Sequence, residues 1–144
     1  MQGSSLGVVI GQKASVTKTV NTEDVLAFSE ISEDRNPIHL DADYASKTRF
    51  KKKLAHGMLS AAFISAALVR VPDSSVTVIY LSQNLRFRRP VFVGDTVTAT
   101  AEVTELDNDR RRATISTICT NQNNEQVVVG ESEVMLDVFP FPSE

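Results

Sequence analysis

The stretch HGMLSAAFISAALVRV, residues 56–71, constrains the fold most. Its first fourteen residues contain no Asp, Glu, Lys or Arg, and apolar or small residues fall on every side of a helical projection. A helix of that kind is expected to be buried all round. It would be about 20 Å long, enough to cross a small domain. Pro72-Asp73-Ser74 then stops it. The rest of the core must come from something that wraps around such a helix.

The remaining segments supply a sheet. Residues 76–87 are rich in β-formers. In 96–106 Val97, Ala99, Ala101 and Val103 alternate with polar residues, and in 111–120 Ala113, Ile115, Thr117 and Cys119 share one face. Residues 125–138 form the last long strand and 13–20 an early one. LDND and NQNN supply hairpin turns, and Pro90 and Gly94 separate the strands over 76–87 and 96–106. Between the early strand and the long helix, Asn21 or Thr22 can cap a helix whose face holds Val25, Phe28 and Ser29, with Leu26 and Ile31 beside them. That helix is expected to end near Ser32, with 33–40 irregular and Asp41 capping a short helix over ADYASKT. The fold class is therefore α+β: an antiparallel sheet of about five strands around one long buried helix. The apolar run over 76–81 needs further cover, which a second copy could supply.

At 144 residues the chain reads as one domain over 1–144, with 1–12 and 138–144 as peripheral termini. The formal charge of −3 argues against general nucleic-acid binding. Cys119 is the only cysteine, which excludes an intrachain disulfide and fits a reducing compartment. No apolar run has the length of a membrane span, and MQGSSLGVVIG lacks the features of a secretory signal. A cytoplasmic protein is the default expectation, and a mature organellar form is compatible with it.

The stretch SEDRNPIHLD, residues 32–41, places a carboxylate, an amide and an imidazole around a proline. Asp34 and His39 would diverge on a helix and lie on opposite faces of a straight strand. Only an irregular turn brings them together. Pro37 fixes its own φ and biases Asn36 toward an extended conformation, and the Asn36 amide can tie down the loop backbone. Two such groups can supply an acid and a base to one substrate or one water. The same residues are also ordinary turn formers, so a purely structural loop stays open at this point. His56-Gly57 adds a second element. A helix start presents N–H groups without helical partners, and Gly57 lets a carbonyl approach its N–H closely. The two histidines and the cysteine lie in different elements, so no metal site is expected.

Taken together, SEDRNPIHLD, TRFKKKLAHGMLSAAFISAAL and LSQNLRFRRPVFVGDTVTA resemble the MaoC-like hydratase family, closest to its R-specific enoyl-CoA hydratases. The resemblance runs from about Val16 to Leu136. The family often has glycine where Glu33 stands, and the R-specific branch commonly has a proline near Lys53, where this chain has KKK. The resemblance implies a hot-dog fold and a homodimer. It implies reversible syn hydration of a trans-2-enoyl-CoA to the (R)-3-hydroxyacyl-CoA, with an acyl-CoA thioester as substrate and no separate cofactor. Asp34 and His39 match the catalytic pair: His39 as the base that activates water, Asp34 orienting it and relaying a proton. Gly57 would polarise the thioester carbonyl, with His56, Asn36 and Ser65 as further oxyanion, substrate-binding or supporting residues.

Lys51, Lys52, Lys53, Arg86 and Arg88 are candidates for the coenzyme A phosphates. Met58, Leu59, Phe63, Leu68 and Val129 are the residues from which chain-length preference would be set. Other readings are a 3-hydroxyacyl-[acyl-carrier-protein] dehydratase, a thioesterase on the same fold, and a non-catalytic acyl-thioester-binding module. The intact Asp, Asn, His and Gly set speaks against the last.

Overall fold

The computed structural model describes residues 6–143. Strand β1 (Lys13–Thr19) is followed by helices α1 (Thr22–Ser32), α2 (Pro37–Leu40), α3 (Ala42–Ser46) and α4 (Gly57–Leu68). Strands β2 (Val76–Phe87), β3 (Thr96–Asp107), β4 (Arg112–Thr120) and β5 (Gln126–Val138) complete the chain. They form a five-stranded sheet in the order β1-β3-β4-β5-β2, and every neighbouring pair is antiparallel. This is the hot-dog arrangement, with α4 lying on the sheet and packing chiefly against β3, β1 and β4.

Strand alternation decides which face carries the core. Val97, Ala99, Ala101 and Val103 of β3 are buried, as are Ala113, Ile115, Thr117 and Cys119 of β4. The alanines at the centre of β3 have little side chain, so the α4 backbone can come close. The other face is polar. Thr17 and Thr98 hydroxyls meet at 3.0 Å across β1 and β3, and Thr19 and Thr96 at 2.8 Å, as cross-strand pairs.

The helices depart from the expected picture. α4 ends at Leu68, earlier than 71, and α1 with 11 residues is nearly as long as its 12. α4 is also not buried all round. Leu59, Ser60, Ile64, Ala67 and Leu68 face the sheet, while Met58, Ala62, Ser65 and Val69 form an exposed stripe. The physical reason is that a sheet reaches one side of a helix only. In α1, Val25 and Ser29 are buried, but Leu26 is exposed and Ile31 is 84% exposed, so the core-facing stripe is narrower than its apolar residues suggested.

Local signals otherwise act as chemistry dictates. Asn21 caps α1 in a capping box with Asp24. Asp41 caps α3 through the Tyr44 N–H. Residues 37–40, expected to be irregular, form one helical turn because Pro37 sits at its first position and the Asn36 side chain accepts from the Ile38 N–H. The N-terminal segment is less peripheral than its sequence suggested. Leu6 and Val8 are buried in the core, and the Gln12 side chain donates to the Val71 carbonyl at 2.7 Å. Among the described residues no helix is long and apolar enough to cross a membrane.

β2 lies at one sheet edge, with Ile79, Tyr80 and Leu81 exposed. Its register with β5 shifts between Tyr80 and Ser82. The β2–β3 connection runs back beside the segment that precedes α4. The Ala55 N–H donates to the Val91 carbonyl at 2.7 Å, the Val93 N–H to the Lys53 carbonyl at 3.3 Å, and Leu54 bridges Phe92. This stitching fixes the loop from which the site is built.

Candidate active site

α1 ends on Glu33, which adopts the left-handed conformation at φ 64°. Most residues avoid that region and glycine enters it freely, which accounts for a glycine preference at such a position. The chain then turns sharply. The Ser32 hydroxyl donates to the Phe28 carbonyl and accepts from the Asp34 N–H, and the Asp34 carboxylate accepts from the Asn36 N–H at 3.2 Å. Asn36 thus shapes the turn and does not line the cavity beyond it.

His39 follows on α2. Its Nδ1 lies 2.8 Å from the Leu54 carbonyl. A carbonyl only accepts, so Nδ1 carries the proton and the neutral ring keeps its lone pair on Nε2. Burial lowers the His39 pKa below the ordinary imidazole value. The Leu54 hydrogen bond opposes that shift, the neighbouring His56 adds to it, and Asp34 opposes it weakly. The net direction favours a neutral base.

His56 closes the group. Functional atoms of Asp34, His39 and His56 all lie within 4.8 Å of one another. The two histidines, expected apart because they belong to different elements, are brought together by the stitched 54–55 segment. Their rings stack with centroids 3.8 Å apart and planes inclined at 27°. Nitrogen lone pairs lie in the ring planes, so two stacked imidazoles do not converge on one ion at bonding distance of about 2.0–2.1 Å. His56 Nε2 faces the Asp34 carbonyl at 3.0 Å, so this nitrogen is committed to the protein itself.

The group opens into a cavity of about 690 Å³. Asp34, His39 and His56 form one wall; Gly57, Met58 and Ser60 bring in the start of α4; Phe87, Pro90, Val91 and Val128 come from the sheet side. No side chain caps α4 at His56, and Gly57 is its first residue. The Gly57 N–H therefore lacks a helical partner. A side-chain carbon on Gly57 would come within 2.8 Å of the Phe87 ring, so glycine also lets Phe87 lie over the helix start.

Some expected residues lie elsewhere. Ser65 is two turns beyond the α4 start, about 12 Å along the axis. It lines a second cleft of about 530 Å³ with Phe28, Met58, Tyr80 and Leu81. Of the basic residues, Arg88 lines the main cavity, whereas Lys51, Lys52, Lys53 and Arg86 do not. Arg49 and Arg89, from the same two clusters, do line it. Lys52 instead lies over the Phe92 ring, its Nζ 4.5 Å from the centroid. Val128 rather than Val129 reaches the cavity, as alternation along β5 requires. Leu59 and Leu68 are buried in the core. Two polar residues were given no role in the site: Ser29, placed only on the α1 face, and Ser60. Both are buried, and a polar residue on a core-facing helical stripe was the available signal.

Comparison with known proteins identifies the family. The profile of the MaoC-like domain matches residues 8–127. An (R)-specific enoyl-CoA hydratase of Rhodospirillum rubrum is 46% identical over 127 residues, covering 88% of this chain and 86% of that protein. One from Aeromonas caviae is 42% identical over 134 residues, covering 92% and 98%. The unliganded structure of R-hydratase PhaJ1 from Pseudomonas aeruginosa superposes with a TM-score of 0.84 at 43% identity, over 95% of this chain and 89% of that one. The chain belongs to the MaoC-like domain family.

Proposed function

We propose that this protein is an (R)-specific enoyl-CoA hydratase, adding water reversibly across the C2–C3 double bond of a trans-2-enoyl-CoA. The observation that carries the reading is the meeting of the Asp34 carboxylate with a tethered His39 at the wall of a cavity that also holds the α4 start. Relatives at 42–46% identity bear the same activity in their names.

In this reading a water sits between Asp34 and His39. His39 Nε2 takes a proton from it as its oxygen attacks C3. The π electrons move through C2 onto the thioester oxygen, where the Gly57 N–H accommodates the charge. One such donor is worth roughly 3–4 kcal/mol in a transition state. The enolate then collapses and takes a proton at C2, relayed through Asp34, so that one water is added in all. No metal or redox group enters these steps. Arg49, Arg88 and Arg89 at the cavity are suited to the coenzyme A phosphates.

The homodimer belongs to the same proposal. The exposed stripe Met58, Ala62, Ser65 and Val69 and the edge strand with Ile79, Tyr80 and Leu81 together present apolar surface that a second copy would cover. Sedimentation should then give a dimer at assay concentrations, and a monomer that retains full activity would remove this part. A cytoplasmic location fits the single buried cysteine.

Crotonyl-CoA is the test substrate, followed by loss of enoyl-thioester absorbance and a dehydrogenase specific for the R product. R product is expected. Because His39 acts as a neutral base with a lowered pKa, kcat/KM should hold through the ordinary imidazole value of about 6.5 and fall only below it. Release of free thiol without hydration would instead indicate a thioesterase. A thiol reagent reads that release cleanly, because Cys119 is buried and its pKa is pushed up to about 12. Binding of acyl-CoA without turnover would point to a carrier-protein thioester or to a non-catalytic module.

A further inference from the structure

His56 is 2% exposed, and its hydrogen-bond partners lie on α1 and just past its end. Its Nε2 lies 3.0 Å from the Asp34 carbonyl and 3.2 Å from the Ser29 hydroxyl. The carbonyl only accepts, so Nε2 carries the hydrogen and the neutral ring leaves its lone pair on Nδ1. Among the described residues, buried Nδ1 has no hydrogen-bond partner. Nothing therefore competes for the ring from that side. Phe28 abuts the imidazole at 4.8 Å, and on the His39 side the stacked ring sits at 3.8 Å.

We propose that His56 is the positioning residue of the Asp34–His39 pair: it holds the Asp34 backbone by a hydrogen bond and the His39 ring by stacking, with Ser29 fixing its own orientation. It acts through these two residues and does not touch the reacting atoms with Nε2. His39 is thereby held at two points, its Nδ1 by the Leu54 carbonyl and its face by His56. Asp34 follows the last turn of α1, and its carbonyl, pinned to the first turn of α4, sets where the carboxylate points. Ser29, on α1, makes the link between the two helices direct. The groups facing His56 are few. Asp34 and His39 come from the 33–40 segment, Ser29 and Phe28 from α1 are uncharged, and Arg49, Arg88 and Arg89 line the same cavity.

The kinetic consequence rests on the hydratase reading; the structural one does not. His56→Phe keeps a flat ring against His39 and removes the donor. His56→Gln keeps a donor near the Nε2 position and removes the stack. Each is expected to lower kcat for crotonyl-CoA by roughly ten- to hundredfold, since small misplacements of reacting groups have effects of that size. KM should stay within about threefold, because ground-state binding is untouched. A kcat within about twofold of wild type in both folded variants would overturn the proposal, as would a loss carried by KM with kcat unchanged.

Tautomers in the substrate-free wild-type protein give an independent reading that needs neither turnover nor a variant that folds. Long-range proton–nitrogen correlation should place the hydrogen on Nδ1 of His39 and on Nε2 of His56. A hydrogen on Nδ1 of His56 would overturn the proposal. If wild type fails to hydrate crotonyl-CoA, the functional reading falls, and the tautomers still decide the role of His56.

Discussion

Asp34→Asn and His39→Ala should each lower the kcat of crotonyl-CoA hydration by roughly 10²–10⁴-fold, the range over which positioned acid–base groups contribute. Asp34→Asn is the sharper substitution. The Asn side chain keeps an oxygen that can accept from the Asn36 N–H, so the turn retains its 3.2 Å contact while the carboxylate is lost. His39→Ala removes the base and the ring that stacks on His56, and leaves the Leu54 carbonyl without its donor. In the proposed mechanism the two groups act on one water, so the double variant should be little worse than the poorer single one. Circular dichroism and thermal melts are the check that both variants fold. Full turnover in both folded proteins would reduce residues 32–41 to a turn.

Gly130→Ala should destabilise the protein by roughly 3 kcal/mol or more, at or beyond the upper range for overpacking. A Cβ at Gly130 would lie 2.0 Å from the Asn84 carbonyl oxygen and 2.9 Å from its carbonyl carbon. Both atoms are backbone of the paired strand, so no side-chain rotation relieves the overlap. Leu85 faces Gly130 in register, and the Asn84 side chain accepts from the Glu131 N–H at 3.1 Å, which holds the strands together at that point. β2 must peel from β5 or twist. Phe87 lies two residues beyond Leu85 and lines the cavity, so activity should fall with stability. A melting temperature lowered by on the order of 10 °C is expected, and a shift under about 2 °C would mean that the two backbones can part locally without loss.

The strands were legible because alternation is local. Val97, Ala99, Ala101 and Val103 announce their face whatever surrounds them, and all four are buried. The charge-free α4 was legible as a helix but not as a half-covered one. With no polar stripe in its sequence, nothing marks the side that the sheet leaves open. Asp34 and His39 stood out by residue type, yet their approach depends on Leu54 and Ala55, which are stitched to residues 91 and 92 far along the chain. The partition of the basic residues was hidden for the same reason. Arg86 and Arg88 are two residues apart, and only Arg88, beyond the end of β2, reaches the cavity.

The cavity draws on two separate sources. The groups proposed to handle protons and charge, Asp34, His39 and Gly57, lie with His56 on the segment from the end of α1 to the start of α4. The opposite wall, with Phe87, Pro90, Val91 and Val128, belongs to the sheet and its β2–β3 connection. Chemistry and appetite are therefore inherited through different parts of the chain. On the proposed reading, substitutions at Val128 can reshape the room offered to an acyl group while the proton path stays intact, which lets one reaction be retuned to new chain lengths by small steps in the sheet alone.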